Sequence, residues 1–191
     1  MNSQPSQRWL FFYIYLNIKK GLGTIMEMLV YISNLGKYNE GELTGEWFSP
    51  PIDMEEVKEK IGLNGEYEEY VIHDYELPFS IDEYTPVHEI NRLCAMVEEL
   101  EGTPFYDELV EIQSMWFTSL EELFEHREDI IYYSDCESME DVAAYHIEET
   151  GQLGEVPSNL QSYIDYKALG RDMEIEGNFL VTSHGIFEYT N

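Results

Sequence analysis

Basic residues are scarce in this chain. Its 191 residues include 10 Lys and Arg against 39 Asp and Glu, which gives a formal net charge of −29. Such a chain repels phosphate, so direct binding to nucleic acid is disfavoured. Cysteine is scarce as well: Cys94 and Cys136 are the only two, and neither lies in a CxxC pair. We therefore expect a reducing, cytoplasmic setting, no disulfide, and two small buried thiols.

Catalytic and metal-binding motifs are also lacking. The sequence contains no GxSxG, GxGxxG, P-loop, HExxH or calcium-loop pattern. None of the five histidines has an acid three residues before it, which excludes the ExxH di-iron pattern. We interpret His146, which lies among apolar helix positions, as a packed core residue. The chain is predicted not to be an enzyme and to need no cofactor or metal; a hydrolase whose carboxylates meet only in space stays open as an alternative.

Long hydrophobic runs are missing too. The apolar run over residues 9–18 has ten residues, too few to span a bilayer. Residues 1–25 contain three basic side chains and no acid, and no A-x-A cleavage site follows them. We interpret them as a non-native leader or gene-start artefact, with translation starting at Met26 or Met28. The other 166 residues then carry 7 basic and 39 acidic side chains, a net charge of −32.

Apolar and aromatic residues are plentiful, at 43% and 14% of the chain. That much apolar surface can offset chain entropy, so we expect a folded protein and not an acidic disordered chain. Solubility alone requires a net charge of only about 2 to 8 in a small domain. The excess indicates a surface for a basic partner, with a halophilic habit or a generic acidic surface as the alternatives.

The first part of the acidic body has the pattern of a mixed strand and helix unit. Residues 28–33 alternate like a strand, and residues 42–49 are its expected partner after a turn. Asp53 is placed to cap a helix that runs to about Ile61. Residues 67–73 read as a third strand.

The middle of the chain is predicted to be helical. Thr85-Pro86 starts a helix that ends before Gly102, Thr103-Pro104 starts a second, and Ser119 with Glu122 forms a capping box for a third. The apolar face of the first helix has a period of 3.6 residues and comprises Val87, Ile90, Leu93, Cys94, Val97 and Leu100.

The last third returns to mixed structure. We predict a strand over residues 129–134, a helix capped by Ser138 with Asp141, a short helix around residues 160–169, and a hairpin over residues 178–189. The fold class is therefore α+β. We expect an elongated chain of three small domains, residues 26–84, 85–127 and 128–191, with mixed units at both ends and helices between.

The acids are spread along the whole body. Each cluster alone is typical of a solvated helix face, but the near absence of balancing Lys and Arg is not. A net charge of −32 equals that of roughly 54 Å of duplex, at one charge per 1.7 Å. A single compact domain of 166 residues has a diameter of about 40 Å. A DNA-like density of charge is therefore expected if the small domains form an elongated body. The predicted partner-binding acids are Glu55, Glu56, Glu59, Glu66, Glu68, Glu69, Glu98, Glu99, Glu101, Asp107, Glu108, Glu111, Glu121, Glu122, Glu125, Glu128, Asp129, Glu137, Glu140 and Asp141.

Three segments resemble a known family. They are residues 30–48 (VYISNLGKYNEGEL, then Gly, Trp and Phe), residues 73–79 (HDYELPF), and residues 154–172, which contain GEVP, YIDY and GRD. In this order they resemble ArdA antirestriction proteins, and the third is similar to the antirestriction motif of that family. The resemblance runs from about Met28 to the C-terminus.

The resemblance implies a cytoplasmic protein, carried on mobile elements, that mimics bent B-form DNA. Such proteins occupy the DNA groove of type I restriction-modification enzymes and are elongated homodimers. The motif is then expected near the dimer contact, with no catalytic role; the alternative is that Pro157, Leu160 and Tyr163 only pack the last domain. The motif residues are Gly154, Glu155, Pro157, Leu160, Tyr163, Asp165, Tyr166, Arg171 and Asp172.

One further function from a different class stays open. An acidic chaperone or sequestering module for basic DNA-binding proteins would have the same charge. It differs in its target, since it would bind denatured basic chains broadly, whereas a mimic competes with duplex DNA.

Overall fold

The described chain forms two compact units. In a computed structural model, residues 26–151 and 154–191 are described, so the predicted leader at residues 1–25 lies outside them. The first unit contains the chain up to Leu77 together with Asp82–Val87, and the second contains Pro78–Ile81 with His88–Asn191. Within the described residues, no helix is long and apolar enough to cross a membrane.

The first unit is a three-stranded antiparallel sheet with helices beside it. In chain order it comprises β1 (Leu29–Asn34), α1 (Leu35–Asn39), β2 (Gly45–Phe48), α2 (Met54–Ile61) and β3 (Tyr70–Glu76). The strand order is β2-β1-β3. The three predicted strands and the predicted helix are all present, although β3 begins three residues later than expected.

Helix α2 forms where its amphipathic pattern and caps predict it. The Asp53 carboxylate accepts the Glu55 backbone N–H at 2.9 Å, which satisfies one of the orphan donors of the first turn. Gly62 ends the helix with φ of 70°, a left-handed conformation that favours glycine. The buried side chains Val57 and Ile61 face the same core as the sheet residues.

Asn34 joins the end of β1 to both neighbouring helices. Its side chain is fully buried; it donates to the carbonyls of Ile61 and Gly62 at 3.2 and 3.3 Å and accepts the Lys37 N–H at 3.0 Å. The last of these bonds caps α1, a five-residue helix that the sequence pattern did not predict. The cap itself is local, but α1 has only five residues and no buried side chain, so apolar periodicity carries no sign of it.

The second unit begins with short helices. They are α3 (Val87–Glu99), α4 (Leu109–Trp116) and α5 (Leu120–Glu125), followed by a 3-10 turn at Arg127–Asp129. All six residues of the predicted apolar face are buried: five of them lie in α3, and the sixth, Leu100, directly follows it. The helical middle is therefore confirmed as secondary structure; its separation from the C-terminal part as a domain of its own remains a prediction.

The rest of the second unit is a small sheet with helices. It comprises β4 (Ile130–Tyr133), α6 (Met139–Thr150), α7 (Ser158–Gln161), α8 (Tyr166–Glu176) and the hairpin strands β5 (Phe179–Val181) and β6 (Ile186–Tyr189). The strand order is β4-β6-β5, and both pairings are antiparallel. The core cluster under this sheet consists of Tyr133, Met139, Val142, Phe179 and Ile186. The α+β class, with a small antiparallel sheet towards each end of the chain, is confirmed.

Two helices predicted in this unit have wrong bounds, and a third, expected to run through about Arg127, ends close to that residue. The helix expected from Thr103 begins only at Leu109, because residues 103–108 form turns. The helix expected to continue to Arg127 ends at Glu125. The single helix expected around residues 160–169 is instead two, because α7 stops at Gln161 and α8 starts at Tyr166, where the Asp165 carboxylate accepts the Ala168 N–H at 2.9 Å.

Helices α6 and α8 pack closely at Gly170. This buried residue lies inside α8, and a Cβ atom there would overlap the Met139 carbonyl and come within 2.9 Å of the Glu140 nitrogen. Both neighbours are backbone atoms at the start of α6, so they cannot move aside as a flexible side chain could. Glycine is therefore required by space at this position and not by backbone conformation.

The contact at Gly170 predicts a strong effect of one methyl group. Gly170→Ala should lower the free energy of unfolding by about 1 to 3 kcal/mol because it overpacks the α6–α8 contact. Gly65→Ala is the matched control, since no atom lies within 4 Å of a Cβ at Gly65. Urea unfolding followed by circular dichroism measures both. A Gly170→Ala protein as stable as the control would contradict the close packing.

Candidate partner-binding surface

The carboxylates face outward almost without exception. All 39 Asp and Glu lie in the described part of the chain, 32 of them are exposed, and only Glu108 is buried. Of the twenty predicted partner-binding acids, Glu121, Glu122 and Asp129 are half-buried. The exposed sixteen are Glu55, Glu56, Glu59, Glu66, Glu68, Glu69, Glu98, Glu99, Glu101, Asp107, Glu111, Glu125, Glu128, Glu137, Glu140 and Asp141.

The few basic residues are used locally. Residues 26–191 contain seven, and six of them lie within 4.0 Å of a carboxylate: Lys37, Lys58, Lys60, Arg92, Arg127 and Arg171. On α2, for example, Lys58 contacts Glu55 at 2.7 Å and Lys60 contacts Glu56 at 2.9 Å. Exposed pairs of this kind contribute about 0.2 to 1 kcal/mol each. Their number is far too small to neutralise the surface.

Arg92 holds two acids at once in the second unit. Its guanidinium binds Glu89 through two nitrogens, at 2.5 and 2.9 Å, and Glu121 at 2.5 Å. The hydrogen bond from Arg92 lowers the pKa of Glu89, and a backbone hydrogen bond together with Arg92 lowers that of Glu121. Arg92 thus ties α3 to α5. Glu121 is committed to this contact, although it was predicted only as a partner-binding acid.

Two other predicted acids cap helices. Ser138 accepts the Asp141 N–H and the Asp141 carboxylate accepts the Ser138 N–H at 2.9 Å, so the predicted capping box of α6 is confirmed. The Ser138 hydroxyl, followed by two backbone N–H groups, lowers the pKa of Asp141. At α5, Ser119 accepts the Glu122 N–H as predicted, but Glu122 reaches back to the Thr118 N–H at 2.7 Å instead of that of Ser119. The Thr118 backbone bond is the main cause of the lowered pKa of Glu122.

Glu108 differs from every other acid. It lies directly before α4, its residue exposure is 5%, and its carboxylate contacts Nδ1 of His184 in the β5–β6 turn. A buried carboxylate presents no charge to a partner. Sequence reasoning placed Glu108 with its exposed neighbours Asp107 and Glu111, because nothing local distinguishes it from them.

The motif segment is mostly exposed. Gly154, Glu155, Pro157, Leu160, Tyr163, Asp165, Arg171 and Asp172 are exposed and Tyr166 is half-buried. Leu160 and Tyr163 are 49% and 83% exposed, which contradicts the alternative that they only pack the last domain. Arg171 contacts Asp172 at 2.9 Å, and Gly154 has φ of 65°. The segment therefore offers apolar and charged side chains on one surface stretch.

The thiols and histidines have structural surroundings. Burial raises the pKa of the Cys94 thiol to about 12, and burial also raises that of the half-buried Cys136. His146 Nε2 lies 2.8 Å from the Tyr133 hydroxyl, which also contacts Glu188. Among the described residues, no group of three or more His, Cys, Asp or Glu side chains is arranged to hold a metal ion.

Comparison with known proteins identifies the family. The family model described as antirestriction protein (ArdA) matches residues 30–188. A search of the curated proteins found no match. Since the matched region covers most of the chain, the protein belongs to the ArdA family of antirestriction proteins, as the three resembling segments predicted. The family description indicates antirestriction activity and, with it, an interaction with restriction-modification enzymes.

The capping role of Asp141 can be separated from its charge. Asp141→Ala should lower the free energy of unfolding by about 1 kcal/mol, because it removes half of the capping box. Glu140→Ala removes the same charge from the neighbouring exposed position and should change stability by no more than about 0.5 kcal/mol. Urea titrations of both variants test this, and equal losses would contradict the cap.

The pH dependence of that difference has a defined sign. The pKa of Asp141 is lowered in the folded protein, so its stabilising effect is present above the ordinary carboxyl pKa and is lost as the pH falls through the lowered value. The two variants should therefore converge in stability in acid.

Proposed function

We propose that this protein protects incoming mobile DNA by occupying the DNA-binding groove of type I restriction-modification enzymes as a mimic of B-form DNA. The observation that supports this most is the outward array of carboxylates, 32 of them exposed, on a folded body with seven basic residues. The partner surface is the groove of the methyltransferase core. The protein acts there by binding and not by catalysis, in the cytoplasm of the host cell.

The proposed mechanism is electrostatic. DNA-binding grooves gain most of their nonspecific affinity from basic side chains that contact phosphates. Carboxylates on a folded surface offer the same sign of charge, so they compete for those basic side chains. The electric field of so large a net charge also accelerates the encounter between this protein and the enzyme. No base edge is needed, because the phosphate contacts carry no sequence information.

The acids divide into two groups within this proposal. Glu108, Glu121, Glu122 and Asp141 are engaged in contacts that hold the fold together. Acids such as Glu98, Glu99 and Glu101 project from exposed positions at the end of α3. We expect the second group to carry the binding, with small effects of single neutralisations because the charge is shared among many positions.

We further propose that the motif segment forms a homodimer contact. Leu160 and Tyr163 are large apolar side chains that stay exposed in the single chain, and Lys167 on α8 is an exposed basic residue. Apolar surface stabilises association when it is removed from water. Positive charge at this face would reduce the repulsion between two acidic chains.

The function is tested by titrating a type I enzyme with the protein in the presence of increasing duplex DNA. Inhibition should be stoichiometric, and the amount needed for half inhibition should rise in proportion to the DNA, since both ligands compete for one groove. Exonuclease digestion of the same duplex is the control and should be unaffected.

Three results would contradict the mimic. Inhibition at much less than one protein per enzyme would indicate catalysis, and inhibition independent of DNA concentration would indicate another site. Broad binding to denatured basic chains, without competition from duplex, would favour the acidic chaperone instead.

The dimer contact is tested by paired substitutions. Leu160→Ser with Tyr163→Ser should weaken self-association by at least about tenfold, because burial of large apolar side chains is lost, each contributing about 1.5 to 3 kcal/mol. Val110→Ser is the control, since Val110 is 52% exposed on α4 outside the motif. Analytical ultracentrifugation measures both proteins. A control that weakens the dimer as much as the motif variant would contradict the assignment, as would a wild-type protein that stays monomeric.

A further inference from the structure

Among the Asp, Glu, Lys and Arg residues of the described chain, Glu108 alone is buried. The other buried polar side chains of that part, Ser33 and Asn34, are neutral. The Glu108 side chain is 7% exposed, whereas its partner, the His184 ring, is 62% exposed. The two residues are 76 positions apart in sequence, so their contact joins the start of α4 to the β5–β6 hairpin.

The hairpin turn holds His184 in place from its own side. The Thr182 N–H donates to the Gly185 carbonyl at 2.9 Å, and the His184 N–H donates to the Thr182 hydroxyl at 3.1 Å. The Tyr132 hydroxyl donates to the His184 carbonyl at 3.2 Å. The backbone of His184 is thus fixed to β4 and to Thr182, the residue that follows β5, and its ring reaches the Glu108 carboxylate.

We propose that Glu108 and His184 form a proton-dependent latch that fixes the β5–β6 hairpin to the start of α4. When His184 is protonated, its ring is the positive charge that compensates the buried carboxylate. When His184 is neutral, the carboxylate keeps its burial but loses that compensation, and an uncompensated buried charge is costly. The hairpin tip then opens more often.

The surroundings of His184 favour its charged form. The hydrogen bond that the His184 ring donates to the Glu108 carboxylate is the main cause of the raised pKa of His184, and the charges of Glu108, Asp107 and Glu111 add to it. The remaining groups that face the ring or its backbone are the hydroxyls of Ser183, with Oγ 3.4 Å from Nδ1, and Tyr132. No positive side chain appears among these neighbours in the described chain.

The direction of the pH effect follows from that raised pKa. Stabilisation by the latch is fully present below the unfolded histidine pKa of about 6.5 and is lost as the pH rises through the raised value. The latch is therefore closed in mild acid and released towards alkaline pH. This behaviour does not depend on the proposed antirestriction mechanism, because it concerns only the folded chain.

The latch is tested on the full chain by nuclear magnetic resonance. The ring signals of His184 are titrated with pH in the wild type, in Glu108→Gln and in Glu111→Gln. Glu111→Gln is the matched control, since it removes one exposed charge of the same cluster without touching the ring. Amide exchange at Thr182 and His184, whose N–H groups donate within the hairpin turn, is measured in parallel at about pH 6 and about pH 9, on either side of the usual range of histidine titration.

The latch predicts a larger fall of the His184 pKa in Glu108→Gln than in Glu111→Gln. Wild-type exchange at the two amides, corrected for the intrinsic rate, should be slower at the lower pH. Equal pKa changes in the two variants would overturn the proposal, as would corrected exchange that is the same at both pH values. If Glu108→Gln fails to fold, His184→Gln replaces it and should remove the pH dependence of exchange; persistence of that dependence would overturn the latch.

Discussion

The rest of this structure depends on how the chain limits the mutual repulsion among its carboxylates. The described chain has seven basic residues for 39 acids, so folding brings many like charges close together. The chain tolerates this because nearly all the acids lie at the surface, in high dielectric, over cores that contain aliphatic and aromatic side chains such as Phe187 and Ile90. Where an acid leaves that surface, as at Glu108, it contacts a histidine ring that carries the opposite charge when it is protonated. The net charge is compatible with a folded protein because the acids lie on the outside, and not because basic residues balance them.

The carboxylates serve the fold and the proposed partner in different places. Asp141 and Glu122 complete helix caps, and Glu89 and Glu121 share Arg92, so their charges stabilise the chain. Exposed acids such as Glu59 or Glu137 have the opposite effect, since they add repulsion without a compensating contact of comparable strength. A protein selected only for stability would dispense with the second kind. Their retention is what the proposed competition with DNA explains.

Features that depend on local pattern were predictable from the sequence. The apolar period of α3, the Ser138 capping box, and the turn chemistry of the final hairpin each operate within a few residues. Features that depend on contacts between distant parts of the sequence were not predictable. Asn34 binds carbonyls at the end of α2, the close approach at Gly170 involves α6, and Glu108 contacts a histidine far along the chain. The partner-binding acids were predicted as a class, because composition reveals an excess of charge but not which carboxylates the fold has already engaged.

In the proposed mechanism, uncompensated outward charge both destabilises the free protein and attracts its basic partner. Salt should therefore act on the two in opposite directions, because it screens like-charge repulsion within the chain and attraction to a basic groove alike. The decisive measurement is a parallel sodium chloride titration of the thermal midpoint of the free protein and of its affinity for a type I enzyme. The account predicts a midpoint that rises and an affinity that falls, by at least about tenfold between about 50 and 200 mM salt. An affinity that is insensitive to salt, or a midpoint that falls as salt is added, would contradict it.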